Sequence, residues 1–433
     1  MSSVRSPSSD VRNRVQAALG RWKGGLADKD RALYEQFVNH ALDRLRGPYL
    51  ALHHPTQVLR HLELAFTFAL VRQPEEIKLD LRIGDSKGVV AMSSMPDQPF
   101  IVDTVRMFFR RHDADYWGGF NVIVNTTRDE SGRLTGVQSE GGVAESIVLL
   151  EADAGELTVD LEKAATDLSR NLTLARSMVG DFRAMTRCVE RAVEKFEVSA
   201  DREPENAAPW RESADFLRWL LQENFVFMGA ELVREGAVED ALGIQKTQGP
   251  YYNAHTGDWP SPHLPATVQV RKGVQESPVH RAGRIDEIQI QLPAQWSDQK
   301  LFIRGMFTYR AVTQPSRNVP VLRRILAKIL AQSDSNPGSF RYKGIANVFD
   351  SLPTEFLFTA SEEAIVQMVD LVFESEQQQE VGVTFLELSP QSAFCLVAMP
   401  KAEFSDELRR SIQTEIVGTI SASYSDHGLF VGR

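Results

Sequence analysis

One stretch constrains the fold of this chain more than any other: Gly88-Val-Val-Ala-Met-Ser-Ser-Met-Pro-Asp-Gln-Pro-Phe-Ile-Val-Asp-Thr-Val-Arg-Met-Phe-Phe-Arg-Arg111. Residues 89–93 read as a short buried strand, and Pro96 and Pro99 mark a tight loop. A helix is expected to open at or just after Pro99, because proline's missing N–H is no loss in a first helical turn. Phe100, Val102, Val105, Met107 and Phe109 are too many apolar residues for one narrow stripe, so this helix should be largely buried. A strand that feeds a helix through a loop leaves backbone N–H groups free at the helix start, a geometry that suits an anion. Small regulatory α/β domains begin in this way, so sensing or assembly is expected ahead of chemistry.

The 433 residues predict about two to four domains. An apolar fraction of 42% and a charged fraction of 24% are ordinary for a globular protein. The net charge of −10 argues against a nucleic-acid partner, since neutralising phosphates takes a basic surface. Cys188 and Cys395 lie far apart, so no disulfide framework is expected and a reducing, cytoplasmic location fits. No run of about 18 apolar residues occurs, so no membrane span is expected. Residues 1–10 are Ser-rich without the apolar core of a signal peptide and read as a frayed tail.

Residues 11–71 are helical in pattern. Leu33, Phe37, Ala41 and Leu45 make one stripe over 28–46, and Pro55 starts a helix carrying Val58, Leu62, Ala65, Phe66 and Ala69. The period then changes. Ile77, Leu79, Leu81 and Ile83 alternate as a half-buried strand. Further strands are expected at 119–127 and 145–151, with a polar hairpin tip at 128–134 containing Gly132. Residues 158–196 read as a long helical region. The economical packing for this order is an antiparallel sheet with helices on one face. Residues 198–209, polar and rich in proline, read as a linker. Then come a helix at 210–221, strands at 224–233, 241–244, 267–271, 286–292 and 300–311, and a Pro/Gly-rich loop at 249–265. After a helix at 320–331 and a break at 334–338, the mixed pattern returns. It comprises a short helix at 344–350, a short strand at 355–358, a helix at 361–375 capped by Ser361, a strand pair at 381–388 and 394–399, a helix at 405–419 and a possible strand at 429–431. The chain thus shows one small α/β design twice, with a β-rich module between.

Candidate chemistry is sparse. Asp97 and Asp103 flank the loop of the opening stretch: Asp97 suits an amine and the helix start a carboxylate, as an amino-acid effector requires. The preferred alternative makes Asp97 the helix cap and turns Asp103 to solvent. The candidate ligand contacts are Pro96, Asp97, Gln98, Pro99, Phe100 and Asp103. His53 and His54 invite a metal, but no cysteine or carboxylate cluster stands near at ligand spacing, so turn histidines are preferred. His280-Arg281 with Asp286 suggests either an acid–base pair or a structural histidine–carboxylate contact; without a nucleophile or metal set the latter is preferred. Cys188, beside Arg187 and Arg191, reads as an inert helical thiol, and Cys395 as a buried strand residue. Phe225, Phe227, Phe302, Phe307 and Tyr309 read as plain core. Gly118-Gly119 and Gly141-Gly142 read as turns at strand edges. A Gly-x-Gly-x-x-Gly between strand and helix, a Walker loop, a zinc spacing and a Gly-x-Ser-x-Gly are all missing from the sequence. No catalytic residue, metal or cofactor is therefore expected.

Five motifs carry a family resemblance. They are Gln98-Pro-Phe-Ile-Val-Asp-Thr-Val105, Phe216-Leu-Arg-Trp-Leu-Leu-Gln-Glu-Asn-Phe-Val-Phe-Met-Gly229, Ser277-Pro-Val-His-Arg281 followed by Ile285-Asp286, Gly305-Met-Phe-Thr-Tyr-Arg-Ala311 and Val319-Pro-Val-Leu-Arg-Arg324. In this order, over roughly residues 85–400, they resemble the N-terminal regulatory region of the large bacterial NAD-specific glutamate dehydrogenases. There are departures. Leu352-Pro-Thr-Glu-Phe-Leu-Phe358 lacks the family's arginine, the turn at 389–392 lacks another, and the strand Phe120-Asn-Val-Ile-Val-Asn125 lacks its histidine.

The resemblance implies an α+β fold. N-terminal helices (1–74) precede a first ACT-like, ferredoxin-like βαββαβ domain with a long helix (75–198). A β-rich PAS-like module (210–340) and a second ACT-like domain (341–433) would follow. It implies a non-catalytic regulatory or scaffold protein that forms a homo-oligomer by sheet or helix pairing and that can sense an amino-acid effector. The alternative is the regulatory portion of a glutamate dehydrogenase, acting on L-glutamate and 2-oxoglutarate with a catalytic partner domain absent from this chain. Neither reading implies a nucleic acid, a membrane or a cofactor.

Overall fold

The computed structural model describes residues 7–422 except 46, 85–86, 139–140, 247–258, 260–266, 297, 334 and 390–391, and also 425 and 427–429. The chain divides into two compact units: Met1–Val179 with Ser277–Gly283, and Gly180–Glu276 with Arg284–Arg433.

In the first unit, helices α1 (Pro7–Leu19), α2 (Asp28–Leu42), α3 (Gly47–Leu52) and α4 (Pro55–Ala69) precede a sheet. Its strands are β1 (Lys78–Ile83), β2 (Val89–Pro96), β3 (Tyr116–Arg128), β4 (Leu134–Gln138) and β5 (Val143–Ala152). Helix α5 (Ile101–Arg111) joins β2 to β3, and α6 (Leu161–Gly180) follows β5. All pairings are antiparallel, in the order β1-β2-β5-β3-β4. Helix α1 begins at Pro7, so the tail expected through residue 10 is already helical from there.

Helices cover both faces of this sheet, not one. Val90, Met92, Phe120, Val122, Ile147 and Leu149 pack with Phe37, Leu59, Leu62 and Phe66 of the N-terminal helices. Val89, Ala91, Met95, Val148 and Leu150 pack with Ile101, Val105 and Phe108 of α5 and Leu168 and Leu172 of α6. Successive residues of a strand point to opposite faces. A strand covered on both sides therefore reads as one apolar run, which is why β2 and the centre of β5 show no alternation. The sheet also departs from a plain βαββαβ order. The edge beside β2 is taken by β1, which precedes β2 in the chain. Gly118-Gly119 lies inside β3 at a register shift, not in a turn. Gly119 has φ 138°, and a Cβ there would strike the backbone of Leu149. Gly141 and Gly142 do take left-handed turn values ahead of β5.

A buried ion cage ties the helical layer to the sheet. Glu145 of β5 receives Arg72 Nη2 at 2.7 Å, Arg128 Nε and Nη2 at 2.8 and 2.7 Å, and the Thr126 hydroxyl at 2.6 Å. Arg72, just past α4, also donates to the carbonyls of Gln73, Pro74 and Glu76. Arg128 donates to the carbonyl of Ala69 at the end of α4. Each charge is paired and its remaining hydrogen-bonding capacity is largely used, which is what makes burial tolerable.

The second unit starts with α7 (Phe182–Arg202) and α8 (Ala207–Trp219). Residues 198–202 continue α7, so the expected linker is mostly helix. Ser199 and Ala200 are buried, Ser199 donates to the Lys195 carbonyl, and no helix breaker occurs before Pro204. Pro204 and Pro209 fall in first helical turns, where proline costs no hydrogen bond. Strands β6 (Phe225–Arg234), β7 (Ala237–Gly243), β8 (Val268–Glu276), β9 (Arg284–Gln291) and β10 (Gln299–Phe307) form an antiparallel sheet in the order β7-β6-β10-β9-β8. The loop expected at 249–265 lies outside the described residues, Trp259 apart. Phe225, Phe227, Phe302 and Phe307 are core as expected. Tyr309 is exposed, because the strand ends at Phe307 and Tyr309 opens the short helix α9 (Tyr309–Val312).

Helices α10 (Leu322–Gln332), α11 (Phe340–Ser351), α12 (Thr354–Thr359) and α13 (Glu362–Gln378) follow, then the hairpin β11 (Gly382–Ser389) and β12 (Ser392–Ala398), and α14 (Asp406–Ile420). The strand expected at 355–358 is thus a helix. Phe356, Leu357 and Phe358 are all buried, and a three-residue apolar run carries no period with which to tell the two apart. With it goes the second βαββαβ unit: among the described residues, 341–433 contain only the β11–β12 pair. Residues 430 and 431 of the last expected strand are outside the described residues, and Leu429 is not in a strand. Cys395 is half-buried, since this two-stranded ribbon leaves Val383 and Phe385 exposed. Ser361 and Ser405 cap α13 and α14 through the N–H groups of Ala364 and Leu408. No described helix is long and apolar enough to cross a membrane.

The Glu145 cage sets a stability test. Glu145→Gln leaves Arg72 and Arg128 buried without a counter-charge and should destabilise the first unit by about 3–5 kcal/mol in urea unfolding. Burial pushes the Glu145 carboxyl up, but hydrogen bonds from Arg128, Arg72 and Thr126 hold it down at about 2. Its folded pKa lies below its unfolded value, so its contribution is complete above about pH 4.5 and is lost as pH falls toward 2. The wild type should lose stability over that window and Glu145→Gln should lose less.

Candidate functional site

The loop between β2 and α5 is where the sheet delivers a helix N-terminus. β2 is held on both sides, by β1 as far as Ser94 and by β5 as far as Pro96 opposite Glu145. The Asp97 N–H extends that ladder to the Ala144 carbonyl at 2.9 Å. Its carboxylate accepts from the Ser146 hydroxyl at 2.6 Å. Asp97 therefore does not cap α5. The cap position is Phe100, which has no side-chain cap bond, and Thr104 N–H closes the first helical turn on the Phe100 carbonyl at 3.0 Å. Phe100 sits at φ 73°, a left-handed conformation that costs a non-glycine residue about 1 kcal/mol or more. Pro99 precedes the cap, so the helix opens after it, as the proline pattern expects. Asp103 is exposed, as expected, and Pro99 is also exposed, while Pro96, Gln98 and Phe100 are half-buried.

Around this turn several buried polar atoms lack a hydrogen-bond partner in the protein: Ser93 Oγ and Ser94 Oγ of β2, Gln98 Nε2 of the loop, and Thr104 Oγ1 of α5. Ser93, Ser94 and Thr104 are essentially inaccessible. By strand alternation Ser93 shares the α5 face with Ala91 and Met95. Buried polar groups in native proteins are nearly always paired, so each of these marks a place where something polar is owed. Ser93, Ser94 and Thr104 are absent from the candidate set read from the sequence. The available signal was a pair of serines in the middle of an otherwise wholly apolar strand.

The other candidates resolve differently. Of the pair His280 and Asp286, which fall in different units, His280 belongs to the first. Its ring lies 5.1 Å from that of Phe100, within the first unit, and its Nδ1 is buried without a hydrogen-bond partner. Burial lowers the His280 pKa, and the nearby Arg281 charge lowers it further. Asp286 is instead buried in the second unit on Lys272 at 2.6 Å and the Phe307 N–H at 3.1 Å, and Lys272 also binds Glu355 at 2.7 Å. Burial raises the Asp286 carboxyl to about 6. Cys188 lies buried in α7, with the Arg191 guanidinium donating to its sulfur at 3.4 Å. His54 is a turn histidine that caps α4 through the Thr56 N–H. His53 lies in the same turn, and its ring also meets His61 of α4 and Glu151 of β5, which no local spacing connects to it.

Comparison with known proteins bears on the same regions. A family model described as the glutamate dehydrogenase ACT1 domain matches residues 85–168, from the approach to β2 into α6. One described as glutamate dehydrogenase helical motif 1 matches residues 319–377, which hold α10 to α13. The NAD-specific glutamate dehydrogenase of Halomonas elongata is 27% identical over 365 residues, covering 78% of this chain and 22% of that protein. The enzyme of the same name from Pseudomonas aeruginosa is 24% identical over 369 residues, covering 76% of this chain and again 22% of the relative. The chain therefore spans less than a quarter of the length of the curated relatives it matches. An ACT1-type sheet domain, a glutamate dehydrogenase helical motif and this extended similarity relate the chain to the N-terminal region of the NAD-specific glutamate dehydrogenases.

Proposed function

We propose that this chain is a non-catalytic regulatory or scaffold region of the glutamate dehydrogenase kind, and that its ACT1 domain senses an amino acid at the β2–α5 loop. The observation that carries this reading is the set of unpartnered buried groups at the loop, Gln98 Nε2, Thr104 Oγ1 and Ser93 Oγ, beside the open N-terminus of α5. An α-carboxylate is the natural acceptor for the Gln98 amide and the first N–H groups of the helix. The amine would take the Asp97 carboxylate, which the Ser146 hydroxyl now holds. The strained Phe100 is the element that ligand binding would relax or exploit. Self-association through a sheet edge fits the same domain, because β1 and β4 are edge strands.

A second reading is favoured by coverage. Relatives of which the matched region is 22% carry the name NAD-specific glutamate dehydrogenase, so this region would act on a catalytic portion that lies outside it.

Thermal shift against the twenty amino acids tests the sensing role. One or a few should raise the midpoint, and Asp97→Ala should abolish the shift; no shift with any of them would overturn it. Glutamate-dependent NAD reduction by the purified chain would overturn the non-catalytic assignment, and co-purification with a dehydrogenase would favour the second reading. Thr104→Val supplies an independent check. It removes a buried hydroxyl without a partner, so the ligand-free protein should gain about 1 kcal/mol while the ligand-induced shift shrinks.

A further inference from the structure

β5 sends two carboxylates toward the N-terminal helices, Glu145 near one end and Glu151 near the other, with Ile147 and Leu149 between them on the same face. Glu145 meets two arginines. Glu151 meets two histidines: His53, in the turn between α3 and α4, and His61, in α4. His53 Nε2 and His61 Nδ1 each stand 3.6 Å from the same oxygen, Oε2 of Glu151. One donor atom from each of the three residues lies within 4.8 Å of the other two. A separation of 3.6 Å is long for a hydrogen bond. It is close to the ~3.4 Å that separates two ligands of one tetrahedral ion with bonds of ~2.1 Å.

The hydrogen bonds around the cluster set which atoms face inward. His53 Nδ1 lies 2.9 Å from the Tyr49 carbonyl. A carbonyl only accepts, so Nδ1 carries the hydrogen, and in the neutral ring Nε2 presents its lone pair to Glu151. A backbone carbonyl on the far nitrogen is the usual outer partner of a metal-ligating histidine. His61 Nδ1 lies 2.8 Å from the Tyr49 hydroxyl. Burial, and then the Glu151 charge, raise the Tyr49 pKa, so the phenol keeps its hydrogen and donates it to Nδ1. Three electron-pair donors thus converge from three elements. The Tyr49 ring packs on His53 at 4.5 Å and on Phe120 at 5.6 Å, and the two imidazoles meet edge to face at 5.3 Å, so neighbouring rings help set the geometry.

We propose that His53 Nε2, His61 Nδ1 and Glu151 bind a divalent transition-metal ion of the zinc class, which clamps α4 and the α3–α4 turn to β5. Two imidazoles and a carboxylate are the donor set that zinc favours, with the fourth position left to water. Binding asks the Tyr49 hydroxyl to give up its hydrogen bond to His61 Nδ1 and its oxygen to shift from its place 2.8 Å from that nitrogen. The site lies on the face of the sheet opposite α5 and is independent of the β2–α5 loop.

The untagged full chain, stripped with a chelator and dialysed, is titrated with zinc sulfate alone by calorimetry. One ion should bind per chain and the unfolding midpoint should rise. Cobalt(II) at the same site should give the visible absorption of a four-coordinate nitrogen/oxygen environment. His61→Ala and Glu151→Gln should each weaken binding by more than the roughly 10–100-fold that losing an outer partner costs. His54→Ala, one residue from His53 but turned to the α4 cap, should leave it unchanged. Absence of stoichiometric uptake by the wild type at millimolar zinc would overturn the proposal and leave the cluster as a histidine–carboxylate ion pair. So would binding that survives in folded His61→Ala, or that is lost in His54→Ala. Should a variant fail to fold, zinc X-ray absorption on the wild type counts imidazole ligands directly, and fewer than two would likewise overturn it.

Discussion

The first unit depends on the charge cage around Glu145. A carboxylate and two guanidinium groups are expensive to bury, and they are tolerated here because each is paired and, Arg72 Nε apart, most of their remaining capacity is spent on carbonyls and on Thr126. The partners come from the segment after α4, from β3 and from β5, so the cage closes only when helix layer and sheet are in register. Arg128 adds a bond to the last turn of α4, where helix carbonyls lack intrahelical donors. Apolar packing presses the N-terminal helices onto the sheet without choosing a register; directional bonds to Glu145 supply that choice.

The same strand shows how one scaffold serves different chemistry at its two ends. Glu145 faces arginines, which remain protonated and make a permanent structural contact. Glu151 faces histidines, whose lone pairs accept a proton or a metal ion. The β2–α5 loop is built on the opposite face logic. β2 is held by β1 up to Ser94 and by β5 up to Pro96, so the loop starts from a rigid point, and the left-handed Phe100 starts α5 within four residues of the strand's end. Unpartnered hydroxyls and an amide collect there because strand and helix geometry carry them into the interior, whatever their own preference for partners.

Much of the chain's local structure is legible in its residues. The stripes of α2 and α4, the alternation of β3 and the serine cap of α13 depend on near neighbours, and the structure has them, while β1 forms as a strand but leaves Ile83 exposed. The failures share a cause. The run at 355–358 is apolar without period, and it became a helix because its three consecutive apolar side chains are buried together. Residues 198–202 are polar enough for a linker, yet α7 runs through them, with Ser199 and Ala200 facing inward. Tyr309 belongs by composition to an aromatic strand, but the strand ends two residues earlier. At the candidate loop the sequence pointed to residues 96–103, and the structure changed their roles: Asp97 is bound to Ser146 and is not a cap, and Ser93 and Thr104 join from neighbouring elements.

By itself, then, the sequence determined roughly where helices and strands lie in most of the chain, and that a strand–loop–helix unit would carry the first sheet domain. Those properties follow from side-chain periodicity, proline and capping, which act over a few residues. The tertiary structure alone decided that helices cover both faces of the first sheet, that Glu145 meets Arg72 and Arg128, and that Glu151 meets His53 and His61. Those contacts join residues tens of positions apart, and no local spacing encodes them. They arise when sheet pairing and helix packing bring distant carboxylates, arginines and imidazoles into a common interior, where burial makes the choice of partner costly to change.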